Sequence, residues 1–309
     1  MTAQGNIILT AQSIVDNADD QTVDLTAGGE IILTAQKNIT GVDTGDTYLE
    51  LGASSTVTAH SDGMGHIHLQ SSGDITLKDI ATSDGEIHVN ALGSIQAVKL
   101  LSGDMGNNND FDTILTSGGT ITVGEITTDH QLKLTAGNAI EGMASNSLSA
   151  QEAILIAISG IGTSYTMLAS DIAIIDVINT DTGSIYMNNA SALTLADLNA
   201  DGQAIQNSGG GQIVSAETLT IDAAINQRED FTLTGKSIAL NASITHENQG
   251  TIRLSATESL SFDTNKITTT DGTITLETDN AIVIEAGQII PETGEMNIVA
   301  TGDLKIQNS

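Results

Sequence analysis

The sequence predicts an all-β fold, a parallel β-solenoid in which short strands wind into stacked coils. Three observations predict it: an alternating apolar motif that recurs along the chain, a near-constant interval between its copies, and a scarcity of aromatic residues. The first observation indicates strands, the second indicates coils, and the third indicates a narrow core.

The recurring motif is a small turn residue, often Gly, followed by alternating apolar residues. Alternation of this kind is the periodicity of a strand that buries one face. The motif occurs from one end of the chain to the other, at Gly5–Ala11, Gly29–Ala35, Gly73–Leu77, Gly119–Val123 and Gly272–Leu276. Because the same inward position recurs once per coil, we expect aliphatic side chains to stack on one another.

The interval between copies sets the size of a coil. Apolar triplets come in pairs about eight residues apart, a shorter third apolar element often follows, and late coils begin at Phe231, Ile252, Ile274 and Met296. This spacing predicts about three short strands per coil of roughly 18–22 residues, and about 14–15 coils. The pattern predicts a single continuous β-solenoid over residues 1–309, with loop insertions near 102–112 and 199–212. An ordinary β-sandwich is disfavoured, because its strands seldom repeat one motif at a constant interval.

Composition excludes several classes of protein. Aromatic residues make up 2% of the chain, which is low for a catalytic domain of this size, and the formal net charge of −30 would repel a nucleic-acid backbone. There is no Cys, and no stretch approaches the roughly 18 apolar residues of a membrane span. The sequence therefore predicts neither a nucleic-acid partner nor a membrane span in this chain.

The repeat resembles a known family. The segments Thr22–Ala35 and Gly73–Ala97, in which Gly-x-Ile-x-Leu units follow one another, are similar to the repeats of filamentous-haemagglutinin-like and other giant repetitive bacterial surface adhesins. This resemblance implies a right-handed parallel β-helix, an extracellular location at the bacterial cell surface, and roles in attachment, aggregation or biofilm. The Asn-Pro-Asn-Gly type of secretion motif of some members is absent from the sequence.

One pattern suggests a metal site. Aligning Ile67 with Ile87 places His68 and His88 at the same outward position of neighbouring coils, with Glu50 one coil before. Neutral imidazole binds Zn²⁺ and Cu²⁺, so such a stacked pair could hold either ion. Only two nitrogens and one carboxylate are supplied and Lys133 occupies the related position two coils on, so a solvated surface ladder is favoured and no metal residue is assigned.

The two predicted loop insertions are candidate ligand sites. The first, Gly103–Asp112, is rich in side-chain oxygens and could hold Ca²⁺, although its spacing does not match an EF-hand loop and Asn and Asp are ordinary turn residues. The second, Asn199–Gly211, is interpreted as flexible, because no helix follows and no Lys-Ser/Thr completes a phosphate-binding loop.

The sequence does not predict an enzyme. Only Arg228 and Arg253 are available as Arg, and no cluster of acids, bases and aromatic platforms lies on one face, as a polysaccharide-active β-helix would need. A flat Thr ladder of the ice-binding kind is also disfavoured, because charged residues interrupt it. The outward Thr residues are Thr10, Thr34, Thr76, Thr122, Thr194, Thr220, Thr232 and Thr275.

The predicted function is a structural or adhesive stalk segment of a large secreted bacterial surface protein, and the chain is expected to be a piece of a longer repeat array. The expected partners are neighbouring coils of the same or another copy, and host-cell or matrix surface glycans or proteins. The alternative is a self-assembling extracellular filament or matrix subunit that stacks end to end.

Overall fold

The computed structural model describes residues 1–16, 22–41, 48–103, 113–248, 250–262, 266–269, 272–284, 288–291, 296–300 and 304–306. These residues form strands, turns and bends, and none of them is helical. The loop insertion near 102–112, weighed above as a possible Ca²⁺ site, lies outside the described residues from 104 to 112.

The chain forms two compact units, residues 1–151 and 152–309. In the first are β1 (Thr2–Ala3), β2 (Ile7–Ala11), β3 (Ile14–Val15), β4 (Thr26–Ala27), β5 (Glu30–Ala35), β6 (Ile39–Thr40), β7 (Leu49–Leu51), β8 (Ser55–Met64), β9 (Ile67–Ser71), β10 (Ile75–Asp84), β11 (Ile87–Ala91), β12 (Ile95–Ser102), β13 (Thr113–Ser117), β14 (Ile121–Thr128), β15 (Gln131–Ala136) and the start of β16 (Ile140–Ala157). In the second are β17 (Leu168–Asn179), β18 (Ile185–Asn189), β19 (Leu193–Leu195), β20 (Gln203–Asn207), β21 (Gly211–Ser215), β22 (Thr218–Ile221), β23 (Ala224–Gln227), β24 (Phe231–Leu240), β25 (Ile244–His246), β26 (Thr251–Phe262), β27 (Lys266–Thr269), β28 (Thr273–Thr278), β29 (Ala281–Ile284), β30 (Gln288–Pro291), β31 (Met296–Ala300) and β32 (Leu304–Ile306).

The fold is a parallel β-solenoid, as the sequence predicts, with about 12 turns of about 22 residues. The expected 14–15 coils were too many. Several coils are longer than the late repeats suggest, because Ile31 pairs with Val57 and Asn179 pairs with Asn207 across intervals of more than 24 residues. The prediction of one continuous solenoid over 1–309 stays a prediction.

The unit of residues 152–309 shows three columns of strands. The first column contains β18, β21, β24, β26, β28 and β31, and the second contains β19, β22, β24, β26, β29 and β32. The third contains β17, β20, β23, β25, β27 and β30. Strands β24 and β26 contribute to two columns because they continue around a corner, where the register shifts between Gly235 and Ser237.

The unit of residues 1–151 is built on the same plan with longer strands. One column contains β3, β6, β9, β11, β13 and β15. A second contains β2, β5, β8, β10, β12, β14 and β16, several of which continue around a corner. The second and third apolar elements of a coil are thus parts of one strand in this unit. In addition, β1 pairs with β4, and β7 pairs with β9.

Buried aliphatic side chains stack in register through each unit. Ile75, Ile95, Ile121 and Ile140 form one such ladder in the first unit, and each is at most 2% exposed. In the second unit the ladder runs through Phe231, Ile252 and Ile274. Burying this apolar area stabilises the fold by about 25 cal/mol per Å² removed from water.

Glycine is required at the position one coil before Phe231. Gly211 pairs with Phe231 in the next coil. Its φ is +143°, and a Cβ there would lie 2.0 Å from the carbonyl oxygen of Ile185. Only Gly therefore fits this position.

A buried polar column lies at the ends of five successive strands of the third column, from β17 to β27. Asn179, Asn207, Gln227, His246 and Thr269 stack in register and are at most 3% exposed. Asn179 Nδ2 donates to Asn207 Oδ1 at 2.9 Å, and Asn207 Nδ2 donates to Gln227 Oε1 at 3.2 Å. Because buried polar groups need partners, these bonds fix the register at the corner.

The polar residue that follows the Gly of the motif bonds to the next coil. Asn6 Oδ1 accepts the backbone N–H of Glu30 at 2.9 Å, and Asp74 Oδ1 accepts that of Ser94 at 2.7 Å. Each acceptor lies one coil before its donor at the same place in the repeat. Side-chain oxygens at the second position of Gly-x-Ile therefore bind the next coil.

Within the segment 199–212, for which the sequence predicts a loop insertion, the structure places strand β20. Ala204 and Ile205 are fully buried in it, and Ile205 pairs with Val177. The extra residues are therefore confined to the chain between Leu195 and β20, and the turn after β20 is short. No described residue belongs to a helix that is long and apolar enough to cross a membrane.

Truncating one ladder residue should destabilise the fold far more than truncating its outward neighbour. Leu254 is 0% exposed, so we expect Leu254→Ala to lower the free energy of unfolding by about 2–5 kcal/mol. The outward Ser255→Ala is expected to change it by less than about 0.5 kcal/mol. Chemical denaturation followed by circular dichroism measures both, and equal effects would contradict the assigned faces.

Candidate functional site

The stacked histidine pair predicted from the sequence is present. β9 and β11 pair so that Ile67 faces Ile87 and His68 faces His88. The two imidazole rings are stacked, with centroids 4.5 Å apart and planes inclined by 7°. Both side chains are mostly covered, with His68 16% and His88 22% exposed.

Two further residues complete this cluster, which we call the histidine–glutamate cluster: His66, His68, Glu86 and His88. His66 and Glu86 directly precede β9 and β11, and they lie on the side of the chain that carries the other two histidines. The alternation His66-Ile67-His68 above Glu86-Ile87-His88 is the signal in the sequence for these two residues, which lie just outside the predicted strands.

The three imidazoles converge on one carboxylate oxygen. Glu86 Oε2 lies 3.3 Å from His88 Nε2, 3.7 Å from His68 Nε2 and 4.0 Å from His66 Nδ1. Hydrogen bonding with His68 lowers the pKa of Glu86 below its usual range, and the charges of His88, His66 and His68 act in the same direction against partial burial. The backbone N–H of Glu86 also donates to His66 Nδ1 at 3.2 Å.

The cluster supplies a donor set that suits a metal ion. Ligand atoms of His66, His68 and Glu86 all lie within 4.8 Å of one another. Ligands of a tetrahedral zinc site with bonds near 2.0–2.1 Å are about 3.3 Å apart, and imidazole and carboxylate are common zinc ligands. The same groups can also pair without an ion, because an imidazole N–H can donate to a carboxylate and His88 Nε2 lies 3.3 Å from Glu86 Oε2.

Glu50 does not join this cluster, contrary to the prediction made by aligning successive coils of the repeat. Ile39 already faces Ile67, so β7 pairs with the later part of β9 and Glu50 faces Gln70. The place expected for Glu50 is taken by Tyr48, whose ring centroid lies 6.0 Å from that of His68.

Glu50 instead forms an acidic group with Asp16 and Asp24, whose carboxylate oxygens lie within 4.8 Å of one another. Asp24 Oδ2 accepts the backbone N–H of Glu50 at 3.1 Å. Burial raises the pKa of Asp24, hydrogen bonds from Glu50 oppose this shift, and the charge of Asp16 adds to it.

The remaining predicted positions are surface features. Ile114 separates Lys133 from His88 in the column, so Lys133 lies two coils away as expected. Arg228 is paired with Glu247 at 3.1 Å, and Arg253 is paired with Glu277.

The threonine ladder is interrupted, as the sequence predicts. Thr194 faces Thr220, but Thr275 faces Arg253, and Thr34 faces His60. These positions do not form one flat array of hydroxyl groups.

A second cluster was missed from the sequence. It consists of residues 196–202, which we call the aspartate loop, and of Asp176. β17 pairs with β19 through Ile175 and Leu195, and with β20 through Val177 and Ile205. The chain between Leu195 and Ile205 therefore lies opposite the single residue Asp176.

Asp176 is 1% exposed, and its Oδ2 accepts the backbone N–H groups of Leu198 and Asn199 at 3.0 and 3.1 Å. Burial raises the pKa of Asp176 to about 6, against those two hydrogen bonds, and the charges of Asp201 and Asp197 raise it further. The signal in the sequence is the run Asp-x-Asn-x-Asp-Gly from 197 to 202, which begins two residues before the predicted loop at Asn199.

No family model, curated protein or solved structure matches the chain. The resemblance to bacterial adhesins therefore depends on the repeat itself and on the parallel solenoid that the repeat forms.

Neutralising the shared carboxylate should weaken the histidine–glutamate cluster in a pH-dependent way. Because the folded-state pKa of Glu86 is lowered, its contribution to stability is present above the ordinary glutamate value of 4.5 and is lost as pH falls through the folded value. We expect Glu86→Gln to lower the free energy of unfolding by about 1 kcal/mol at pH 6.

Denaturation curves at several pH values measure this difference. The difference should shrink as the solution becomes more acidic than pH 4.5, whereas the exposed Glu141→Gln should show no such trend. A difference that is constant with pH would show that the Glu86 charge contributes nothing.

Proposed function

We propose that the chain is a structural and adhesive stalk segment of a large secreted bacterial surface protein, and that it works outside the cell. The observation that carries the proposal is the in-register stack of buried aliphatic side chains through each unit. Its mechanism is mechanical: stacked coils supply length and stiffness, and their outward faces supply weak contacts with other surfaces.

The strand pairing supports the mechanical part. Successive coils are joined by parallel backbone ladders in two or three columns, so each coil is held by its neighbours. Corner residues such as Asn6, and the polar column at Asn207, add side-chain bonds between coils. A load on one coil is therefore shared with the next.

The outward face supports the adhesive part. It carries many polar and acidic side chains, consistent with a net charge of −30. A shallow polar groove in the second unit is lined by Gln203, Gln206, Asn226, Arg228 and Glu247, among others. Host-cell or matrix glycans and proteins fit such a surface, because many weak contacts on one chain add to a firm attachment.

A self-assembling extracellular filament or matrix subunit is the second candidate. It is favoured by apolar side chains that are exposed at outward positions of described strands, namely Ile8 at 66% and Val299 at 54%. Exposed apolar side chains can mark a surface on which another copy associates.

Beads that carry the purified chain should adhere to host-cell or matrix surfaces more than beads that carry an equally acidic protein without β-structure. Ile274→Asp, which places a charge in the buried ladder, should reduce adhesion, and the outward Thr275→Asp should not. Adhesion under flow measures the difference.

Sedimentation velocity over a range of concentrations separates the two candidates. A monomer that adheres supports the stalk segment. Concentration-dependent fibres would favour the filament subunit, and a monomer that adheres to no surface would contradict the adhesive role.

A further inference from the structure

We propose that the aspartate loop, with Asp176 beneath it, binds a calcium ion. This inference goes beyond the proposed stalk function and does not depend on it. It rests on the residue types of the loop and on the buried carboxylate of Asp176, of which one oxygen is held by the loop and the other has no hydrogen-bond partner.

The residue types follow the spacing of an EF-hand calcium loop. Asp197, Asn199 and Asp201 occupy positions 1, 3 and 5, Gly202 occupies position 6, and the carbonyl of Gln203 occupies position 7. Such loops need Gly at position 6 for a sharp turn, and Gly202 has a φ of +89°.

Side-chain oxygens of the loop accept hydrogen bonds from the loop's own backbone. Asp197 Oδ1 accepts the backbone N–H of Asp201 at 3.0 Å, and Asp197 Oδ2 accepts that of Gly202 at 2.8 Å. Asn199 Oδ1 accepts the N–H of Asp201, and Asp201 Oδ1 accepts that of Gln203, both at 2.8 Å. Each of these oxygens retains a lone pair for a cation.

The second observation is Asp176. Its Oδ2 is held by two backbone N–H groups of the loop, but its Oδ1 is buried and has no hydrogen-bond partner. A buried carboxylate oxygen without a partner is costly and calls for a cation or another donor. Because Asp176 is the single residue of β17 opposite the loop, its carboxylate is placed to complete the site.

Asp176 also supplies a carboxylate in place of the acidic residue that ends an EF-hand loop. Position 12 of an EF-hand loop carries a bidentate Glu, whereas this chain has Ser208, whose hydroxyl donates to the Thr180 carbonyl at 2.9 Å. A carboxylate from the preceding coil supplies the missing negative ligand.

The charge and the donor atoms indicate calcium. Asp197 and Asp201 lie near enough to Asp176 for their charges to raise its pKa, and no Lys, Arg or His among the described residues forms an ion pair with any of the three. All the donors are oxygens, and Ca²⁺ takes six to eight oxygen ligands in flexible geometry, whereas Mg²⁺ demands a near-octahedral site. A bound ion would tie the loop to the coil before it.

Hydrogen–deuterium exchange with mass spectrometry tests this site locally. In the full chain stripped of metal, calcium at about 1 mM should slow exchange in the peptide that covers residues 196–203. Asp201→Asn and Asp176→Asn should weaken calcium binding, measured by titration calorimetry, by about tenfold or more.

Asp181→Asn is the matched control. It makes the same change of charge at an exposed turn of the same unit, and it should leave both readouts unchanged. Asp201 is exposed, so Asp201→Asn keeps the test decisive if Asp176→Asn disturbs folding, and circular dichroism checks each variant.

Protection of this peptide by calcium in the parent chain and in Asp181→Asn, but not in Asp201→Asn, would support the site. No protection, equal protection in Asp201→Asn, or the same protection by magnesium at equal ionic strength would overturn it. The last two results would indicate screening of the large negative charge rather than a site.

Discussion

The in-register stack of branched aliphatic side chains on parallel strands is the constraint on which the other features of this chain depend. Because Ile252 lies between Phe231 and Ile274, the three strands must be parallel. Each coil must also bring the chain back to the same lateral position, one strand spacing further along the stack. Side chains on the opposite face then stack too, which brings His68 onto His88. Register in the core thus determines which surface residues meet, and a shift of one residue would exchange the two faces.

Polar groups reinforce that register at the corners, where the aliphatic ladder cannot act. The column from Asn179 to Thr269 places amide, imidazole and hydroxyl groups in the interior, and most of them bond to a neighbouring coil or to the adjoining turn. Because a misaligned coil would leave these groups unsatisfied, they penalise alternative registers more than they add net stability.

Sequence periodicity predicted the fold class and the stacked histidines because both follow from the repeat. The number of coils was overestimated because the coils before Val57 and around Asn207 are longer than the late ones. Glu50 was misplaced because Ile39 had already taken the position opposite Ile67. The aspartate loop was missed because Asp176, the third carboxylate of the proposed site, lies in another coil, and no local pattern connects the two.

Disulfide cross-linking tests the register most directly, since the chain contains no Cys of its own. Thr232 and Arg253 face one another in neighbouring coils, and stacked strands are about 4.8 Å apart, within the range that a disulfide spans. The pair Thr232→Cys/Arg253→Cys should therefore oxidise readily within one chain, whereas Thr232→Cys/Ser255→Cys, displaced by one pleat, should not. Equal cross-linking of both pairs, or of neither, would contradict the stacked parallel coils.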